Sequence, residues 1–222
     1  MTICGFAMMV PAAVADTPKD GDKHGHEHAG HDHEGHDHGE HGHKEGAEQS
    51  EDAMHEAMMK FHEPGPQHAK LKEAVGNWNA EIKHWEGPGE PAVSKGKSVV
   101  KMVLGGRYMQ EDFTCDFDGK TFNGRGIYGY DNAKQKYVSI WFDDMSTGFM
   151  TSEGTHDEAT KTTTYIGEGQ MMPGMAYKTR MLDKEISKDK HVFEMYMTMP
   201  GQPEVKTMEI TYTRDKKVAE AK

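Results

Sequence analysis

The sequence of 222 residues has no cysteine pair suited to a disulfide, no cluster of basic residues and no long apolar run. Its two cysteines are Cys4 and Cys115, and Cys4 lies in a leader that we expect to be removed, so no internal disulfide is predicted. Acidic residues outnumber basic residues by 37 to 26, which argues against a nucleic-acid partner because phosphate-binding surfaces need clustered Lys and Arg. The apolar segment 1–15 is too short to span a bilayer as a helix, so no transmembrane segment is predicted in the mature chain.

Residues 1–15 have the features of an export signal. They are uncharged and mostly apolar, and they end in Ala13-Val14-Ala15, the small-x-small pattern that signal peptidases cleave. No Lys or Arg precedes the apolar residues, a gap that a start codon assigned downstream of the true one would explain. We therefore expect a mature protein that begins at Asp16 and is periplasmic or secreted.

The segment 16–50 contains no Val, Ile, Leu, Phe, Tyr or Trp. Such a segment cannot bury enough apolar surface to offset the loss of chain entropy, so it is predicted to be disordered in the absence of metal. Residues 16–62 carry thirteen acidic and four basic side chains, whereas residues 63–222 carry 24 and 22, so the net charge of −11 belongs mainly to this amino-terminal part. The remainder is long enough for one domain with its own core.

Nine of the fifteen histidines fall within this segment, spaced as His-x-His and His-x-x-His with Asp or Glu in several gaps. Neutral imidazoles beside carboxylates bind Zn²⁺, Ni²⁺ and Cu²⁺, and flexible spacing favours many interchangeable sites over one rigid site. The tract is therefore predicted to capture or buffer transition metals, unless it is a solvated spacer. The candidate ligands are His24, His26, His28, His31, His33, His36, His38, His41 and His43.

Residues 51–75 are predicted to form one or two short helices, the first capped by Ser50 and the second ending near Gly76. Residues 76–215 then change to a period of two, with turn sequences between short apolar segments. Such a series predicts an all-β, antiparallel up-and-down barrel of about ten strands, because closure removes the exposed sheet edges. The predicted strands are 78–86, 94–104, 107–117, 120–130, 136–144, 147–155, 161–169, 175–184, 190–199 and 204–214.

Several short motifs in this domain occur in a recognisable order. Gly76-Asn77-Trp78, between a short helix and a strand, resembles the Gly-x-Trp signature of lipocalins and related calycin barrels. The ordered set Leu104-Gly-Gly-Arg-Tyr108, Phe122-Asn-Gly-Arg-Gly126, Gly129-Tyr-Asp131, Tyr137-Val138 and Trp141-Phe-Asp143 resembles the bacterial "domain of unknown function 1579" family over residues 65–214. The resemblance implies a lipocalin-like barrel. It implies no catalytic residues, because the function of the family is not established, and it does not include the His-rich tail.

Candidate ligand-binding residues are those whose types suit a small molecule in the barrel: cations at its mouth, aromatic rings along its wall and methionines on one strand face. Met195 and Met197 alternate with polar residues, which is typical of an adaptable core lining. Arg125 is a further candidate cation, and Asp112, Asp143 and Asp144 are candidate partners for these arginines. The candidates are Arg107, Tyr128, Trp141, Arg180, Met195 and Met197.

Three functions follow from these patterns. The first is an exported barrel that binds a small apolar molecule and whose His-rich tail captures Zn, Ni or Cu. The second is a barrel that binds haem or another cofactor through His156 or His191, although no residue set defines a cofactor site in the barrel itself. The third is an enzyme that uses a carboxylate such as Asp143, but no catalytic residues are predicted because the sequence shows no Ser-His-Asp order around a nucleophile elbow.

Overall fold

A computed structural model describes residues 45–117 and 119–216, with side chains from residue 51 onward. Helix α1 spans Glu45–Phe61 and helix α2 spans Pro66–Lys72. The structure corrects the predicted start of α1 at Ser50, since the helix begins at Glu45, inside the segment predicted to be disordered. The His-rich tract and the export signal lie outside the described residues.

Ten strands follow the helices, and all ten predicted strands are confirmed with small shifts at their ends. The largest shift at a strand start is in the sixth strand, which begins at Met150 because residues 144–149 form a loop. The strands are β1 Gly76–His84, β2 Ala92–Val103, β3 Tyr108–Phe117, β4 Lys120–Asp131, β5 Lys136–Asp143, β6 Met150–Asp157, β7 Thr162–Met172, β8 Met175–Ser187, β9 Lys190–Thr198 and β10 Val205–Arg214.

Each strand pairs antiparallel with the next, and β1 pairs with β10, so the sheet is a closed barrel. The closing register runs from Trp78 opposite Arg214 to His84 opposite Met208. Closure satisfies the backbone groups that an open meander would leave exposed on its two edge strands. The predicted fold class is therefore confirmed.

The period of two in the sequence places alternate side chains inside the barrel. On β1, Trp78, Ala80 and Ile82 are buried, and on β10, Ile210 and Tyr212 face them. A second group of buried residues includes Leu71 of α2 together with Tyr137, Tyr165 and Met181. The helix therefore contributes directly to the core of the barrel.

Strand glycines make room for aromatic rings. A Cβ at Gly124 would overlap the ring of Trp141, and a Cβ at Gly126 would lie 2.5 Å from the ring of Tyr128. Added methyl groups at these positions would displace rings that form the inner wall. The absence of a side chain at Gly124 and Gly126 thus allows these two rings to pack against the strand.

Arg214 joins several segments of the chain at the end of the barrel where β1 begins. Its guanidinium lies 4.1 Å from the centre of the Trp78 ring and donates hydrogen bonds to the carbonyl oxygens of Glu73, Val75 and Lys188. It also pairs with Asp189 at 3.3 Å. One side chain therefore joins the last strand to the segment after α2 and to the β8–β9 turn.

Within the described residues, no helix is both long enough and apolar enough to cross a membrane.

Arg214→Ala should lower the free energy of unfolding by about 2–3 kcal/mol, because it removes charge-assisted hydrogen bonds and a cation–π contact together. Urea denaturation measures this change. Arg125→Ala is the matched control, since Arg125 is half exposed and pairs on the surface with Asp112, and it should cost less than about 1 kcal/mol. Equal losses in the two variants would contradict the role given to Arg214.

Candidate functional site

The interior of the barrel contains a buried carboxyl group. Glu111 lies on β3 between Met109 and Phe113 on the inward face, and only 8% of the residue is exposed. Three hydroxyl groups donate hydrogen bonds to it, each from a different strand. The distances are 2.7 Å from Ser98 to Oε1, 3.1 Å from Tyr128 to Oε2 and 3.3 Å from Tyr212 to Oε1. We call these four residues the Glu111 cluster.

Burial sets the charge state of the Glu111 cluster. Loss of solvent raises the pKa of Glu111 above its ordinary value of 4.5, and the three hydroxyl donors offset only part of that rise. Burial and the neighbouring carboxyl raise the pKa of both Tyr128 and Tyr212 well above 10.0, which keeps their hydroxyl groups protonated. The cluster therefore presents neutral tyrosines around a carboxyl whose protonated form is favoured by its surroundings.

A histidine–aspartate pair adjoins this cluster. His191 Nδ1 lies 2.8 Å from Asp183 Oδ1. Since a carboxylate oxygen only accepts, Nδ1 is the donor in this hydrogen bond. The His191 ring stacks on Tyr212, with ring centres 4.3 Å apart and planes 6° from parallel, and meets the edge of Trp78 at 4.9 Å. The stacked ring connects Asp183 to the Glu111 cluster through Tyr212.

Four of the six predicted ligand-binding residues lie on the inner wall. Tyr128 belongs to the Glu111 cluster. Trp141 packs against the first group of buried residues and donates a hydrogen bond from Nε1 to Asp143 at 3.0 Å. Met197 is buried, and Met195 packs against the second group. The structure therefore brings these four side chains to one interior.

The two predicted arginines lie elsewhere. Arg180 is on the outer face of β8 and not in the barrel mouth, because Thr179 and Met181 take the inward positions. It forms a two-pronged ion pair with Glu204, at 3.0 and 2.6 Å, and stacks over an exterior tyrosine ring. Arg107 is exposed and follows the short 3-10 turn that connects β2 to β3.

The predicted aspartates line a cleft of about 440 Å³ formed by β3, β4, β5 and the residue after β5. Asp112 accepts a hydrogen bond from Arg125, one of the arginines that were its candidate partners. Asp144 accepts from Asn123, and Asp143 accepts from Trp141 and from the backbone of residue 145. Each of these three carboxylates therefore accepts hydrogen bonds from neighbouring residues.

The nine predicted metal ligands of the tail lie outside the described residues. Within 45–117 and 119–216, no group of three or more His, Cys, Asp or Glu side chains is placed to hold a metal ion. His156, a candidate cofactor ligand, has its Nδ1 2.9 Å from the Thr163 hydroxyl. Both His156 and His191 are therefore positioned by hydrogen bonds to strand residues.

Sequence reasoning missed Glu111, Ser98, Tyr212 and Asp183. Glu111 could have been recognised from the sequence, because it occupies a position on β3 that shares a face with the apolar residues Met109, Phe113 and Cys115. A charged residue in an inward position must have hydrogen-bond partners. No sequence feature identified those partners, since they come from β2, β4 and β10.

The fold and its interior define the class of protein: a closed, ten-stranded antiparallel barrel of lipocalin-like type with a polar group at its centre. Residues 63–214 match the family model described as "Protein of unknown function (DUF1579)", and the chain belongs to that family. The resemblance drawn from the short motifs is therefore confirmed. None of the curated proteins matches this chain.

Two solved structures are similar in fold. The crystal structure of Rv2717c from M. tuberculosis has 14% sequence identity and a TM-score of 0.51, and the match covers 69% of this chain and 99% of that one. The S-type phycobiliprotein lyase CPES from Guillardia theta has 9% identity and a TM-score of 0.48, with 71% and 96% covered. At such identities the likeness concerns the fold alone.

The stability of the protein should depend on pH through Glu111. Above pH 4.5 the unfolded chain loses this proton while the folded protein keeps it, so the free energy of unfolding should fall as pH rises toward the folded pKa, by up to about 1.4 kcal/mol per pH unit. Glu111→Gln keeps a neutral hydrogen-bonding group and should remove this slope. Urea denaturation from pH 4.5 to 8 measures it.

The exposed Glu81 on β1 provides the control for this experiment. Glu81→Gln should show the same dependence of unfolding free energy on pH as the wild type. The histidines are present in every variant, so the difference between the wild-type and Glu111→Gln curves is due to the buried carboxyl. Parallel curves for wild type and Glu111→Gln would show that Glu111 loses its proton at the same pH in both states.

Proposed function

We propose that this chain is an exported binding protein whose barrel holds a small molecule and whose His-rich tract captures divalent transition metals. The Glu111 cluster is the observation that supports the barrel part of the proposal. Replacing a buried polar cluster by well-packed apolar residues is often neutral or stabilising, so a barrel built only for stability has no need of a buried carboxyl. Ligand pockets, by contrast, combine apolar walls with a few polar groups that orient the ligand.

The side chains around the Glu111 cluster can adapt to a small ligand that binds and dissociates. Met109 packs against both groups of buried residues, and Met181, Met195 and Met197 line the facing strands. Methionine is unbranched and changes rotamer readily, so such walls can move aside for a small guest. The ligand expected here has a compact apolar body and one group that exchanges hydrogen bonds with Tyr128, Tyr212 or Glu111.

The tract from His24 to His43 supports the metal part of the proposal. Its imidazoles and interspersed carboxylates match the ligand preferences of Zn²⁺, Ni²⁺ and Cu²⁺, and its varied spacing favours capture over catalysis. The apolar leader with its small-x-small end supports a periplasmic or secreted location for this tract.

The barrel proposal predicts that untagged protein purified from its own source carries a bound small molecule. Native mass spectrometry should show a non-covalent adduct on the wild type. Tyr128→Phe should weaken retention about fivefold, because it removes one hydrogen bond worth about 1 kcal/mol. Tyr108→Phe is the control, since Tyr108 lies at the start of β3 and 38% of it is exposed.

A bare polypeptide mass for the wild type, in a preparation that keeps other weak complexes intact, would contradict the barrel proposal.

An adduct with a Soret absorption band that is lost in His191→Ala would instead support the alternative of a haem barrel. The pairing of His191 Nδ1 with Asp183 favours that alternative, since metal-bound histidines commonly donate their second nitrogen to a carboxylate.

The tail proposal predicts that the full chain binds more than one Zn²⁺, Ni²⁺ or Cu²⁺ in calorimetric titration. Replacement of the nine tract histidines by Asn should abolish most of this binding, whereas replacement of Glu27, Asp32, Glu34, Asp37 and Glu40 by Gln or Asn should only weaken it. Equal stoichiometry in the wild type and the histidine-free chain would contradict the proposal.

A further inference from the structure

A small cavity of about 270 Å³ lies between α2 and the 3-10 turn Leu104–Gly106. Its walls are mostly apolar, and it is smaller than the 300–1,000 Å³ typical of sites for drug-sized ligands. It is separate from the Glu111 cluster, none of whose residues lines it. Its lining residues, which define the α2 cavity, are Pro64, Gly65, His68, Ala69, Lys72, Met102 and Gly106.

Two cations border the α2 cavity. Lys72 is one of its lining residues, and Arg107 directly follows Gly106 in the chain. The Arg107 guanidinium folds back over the turn, since a Cβ at Gly105 would lie 3.2 Å from its Nη1. Its charge also acts on His68 inside the cavity, where it helps to lower the pKa of that ring.

These cations have no carboxylate partner among the described residues. The other three arginines of the sequence are all paired: Arg125 with Asp112, Arg180 with Glu204 and Arg214 with Asp189. Lys72 lines the cavity and Arg107 follows the lining residue Gly106, so two cations without acidic partners give this part of the surface a positive potential.

The neighbouring histidine does not add to this charge. His68 is buried, and its Nδ1 accepts a hydrogen bond from the backbone N–H of Gly65 at 3.0 Å. Burial is the main cause of its lowered pKa, so the ring is held neutral. His68 therefore positions the start of α2, while the charge at the cavity comes from Lys72 and Arg107.

The turn that carries Arg107 is held in an unusual conformation. Leu104, Gly105 and Gly106 have φ values of 50°, 66° and 84°, and Leu104 is 73% exposed. A leucine in the left-handed region is uncommon and carries strain, which is retained mainly where the surrounding structure requires it. The strained turn places Arg107 beside the opening of the cavity.

We propose that the α2 cavity binds a small carboxylate with an apolar body. Arg107 and Lys72 would hold the carboxylate, and the apolar part would pack against Pro64, Ala69 and Met102. This site is independent of the interior ligand proposed above, so either one can fail without the other.

Octanoate is a suitable probe, with 1-octanol and octylammonium as neutral and cationic analogues of equal length. In titrations of the full chain followed by ¹H–¹⁵N NMR, octanoate should shift the amide signals of Gly65, Ala69 and Gly106 in a saturable way. It should bind more tightly than 1-octanol, and octylammonium should bind least. Raised salt should weaken octanoate binding and leave 1-octanol binding unchanged.

Arg107→Gln and Lys72→Gln should each weaken octanoate binding about two- to fivefold without affecting 1-octanol, because each removes one partly solvated charge pair. Lys95→Gln, an exposed lysine on β2 away from the cavity, is the control and should bind as the wild type does. Ala69→Leu, which adds bulk to the cavity and keeps a strong helix former in α2, should abolish binding of both compounds.

The proposal is overturned if octanoate produces no saturable shifts at these amides. It is also overturned if octylammonium binds as tightly as octanoate, or if Arg107→Gln and Lys72→Gln retain wild-type affinity while folded. Shifts confined to residues of the Glu111 cluster would assign octanoate to the barrel interior and so reject the α2 cavity as its site.

Discussion

The pairing of the first strand with the last is the constraint on which the rest of this structure depends. Without the β1–β10 ladder, the meander would have two open edges and the inner residues would face solvent. Arg214 reinforces the ladder at one end by stacking on Trp78 and binding three carbonyl oxygens. Because Trp78 lies opposite Arg214 in the register, the same contact that closes the sheet also fixes how far the two strands are staggered.

Closure also creates the polar centre of the barrel. Glu111 and Tyr212 are 101 residues apart in the chain and meet only because β10 returns to the first strands. In the low-dielectric interior the carboxyl is costly to ionise, while hydroxyl donors from three strands keep it hydrogen-bonded. The barrel thus holds the Glu111 carboxyl in a fixed place among side chains, such as Met195 and Met197, that can adapt their shape. This combination of a fixed polar group and adaptable walls is what a small-molecule site requires.

The chain separates its charges by region. The His-rich tract is strongly acidic and carries the candidate metal ligands, whereas residues 63–222 are nearly neutral and pair most of their arginines with acids on the outer face. Among the arginines of the described residues, Arg107 is the exception to that pairing, and the neighbouring Lys72 likewise has no ion-pair partner there. The binding properties proposed for the three regions therefore rest on different chemistry: imidazole for metals, a buried carboxyl for a neutral ligand, and unpaired cations for a carboxylate.

Local pattern in the sequence determined the ten strands, their turns, the inward positions of Tyr128, Trp141, Met195 and Met197, and the family to which the chain belongs. These follow from a period of two and from turn residues, which act over a few neighbours. Only the tertiary structure decided that Arg180 faces outward to Glu204 and that Glu111 meets Ser98, Tyr128 and Tyr212. Such contacts depend on strand register and on closure between residues far apart in the chain, and a one-residue change of register reverses the face that every side chain occupies.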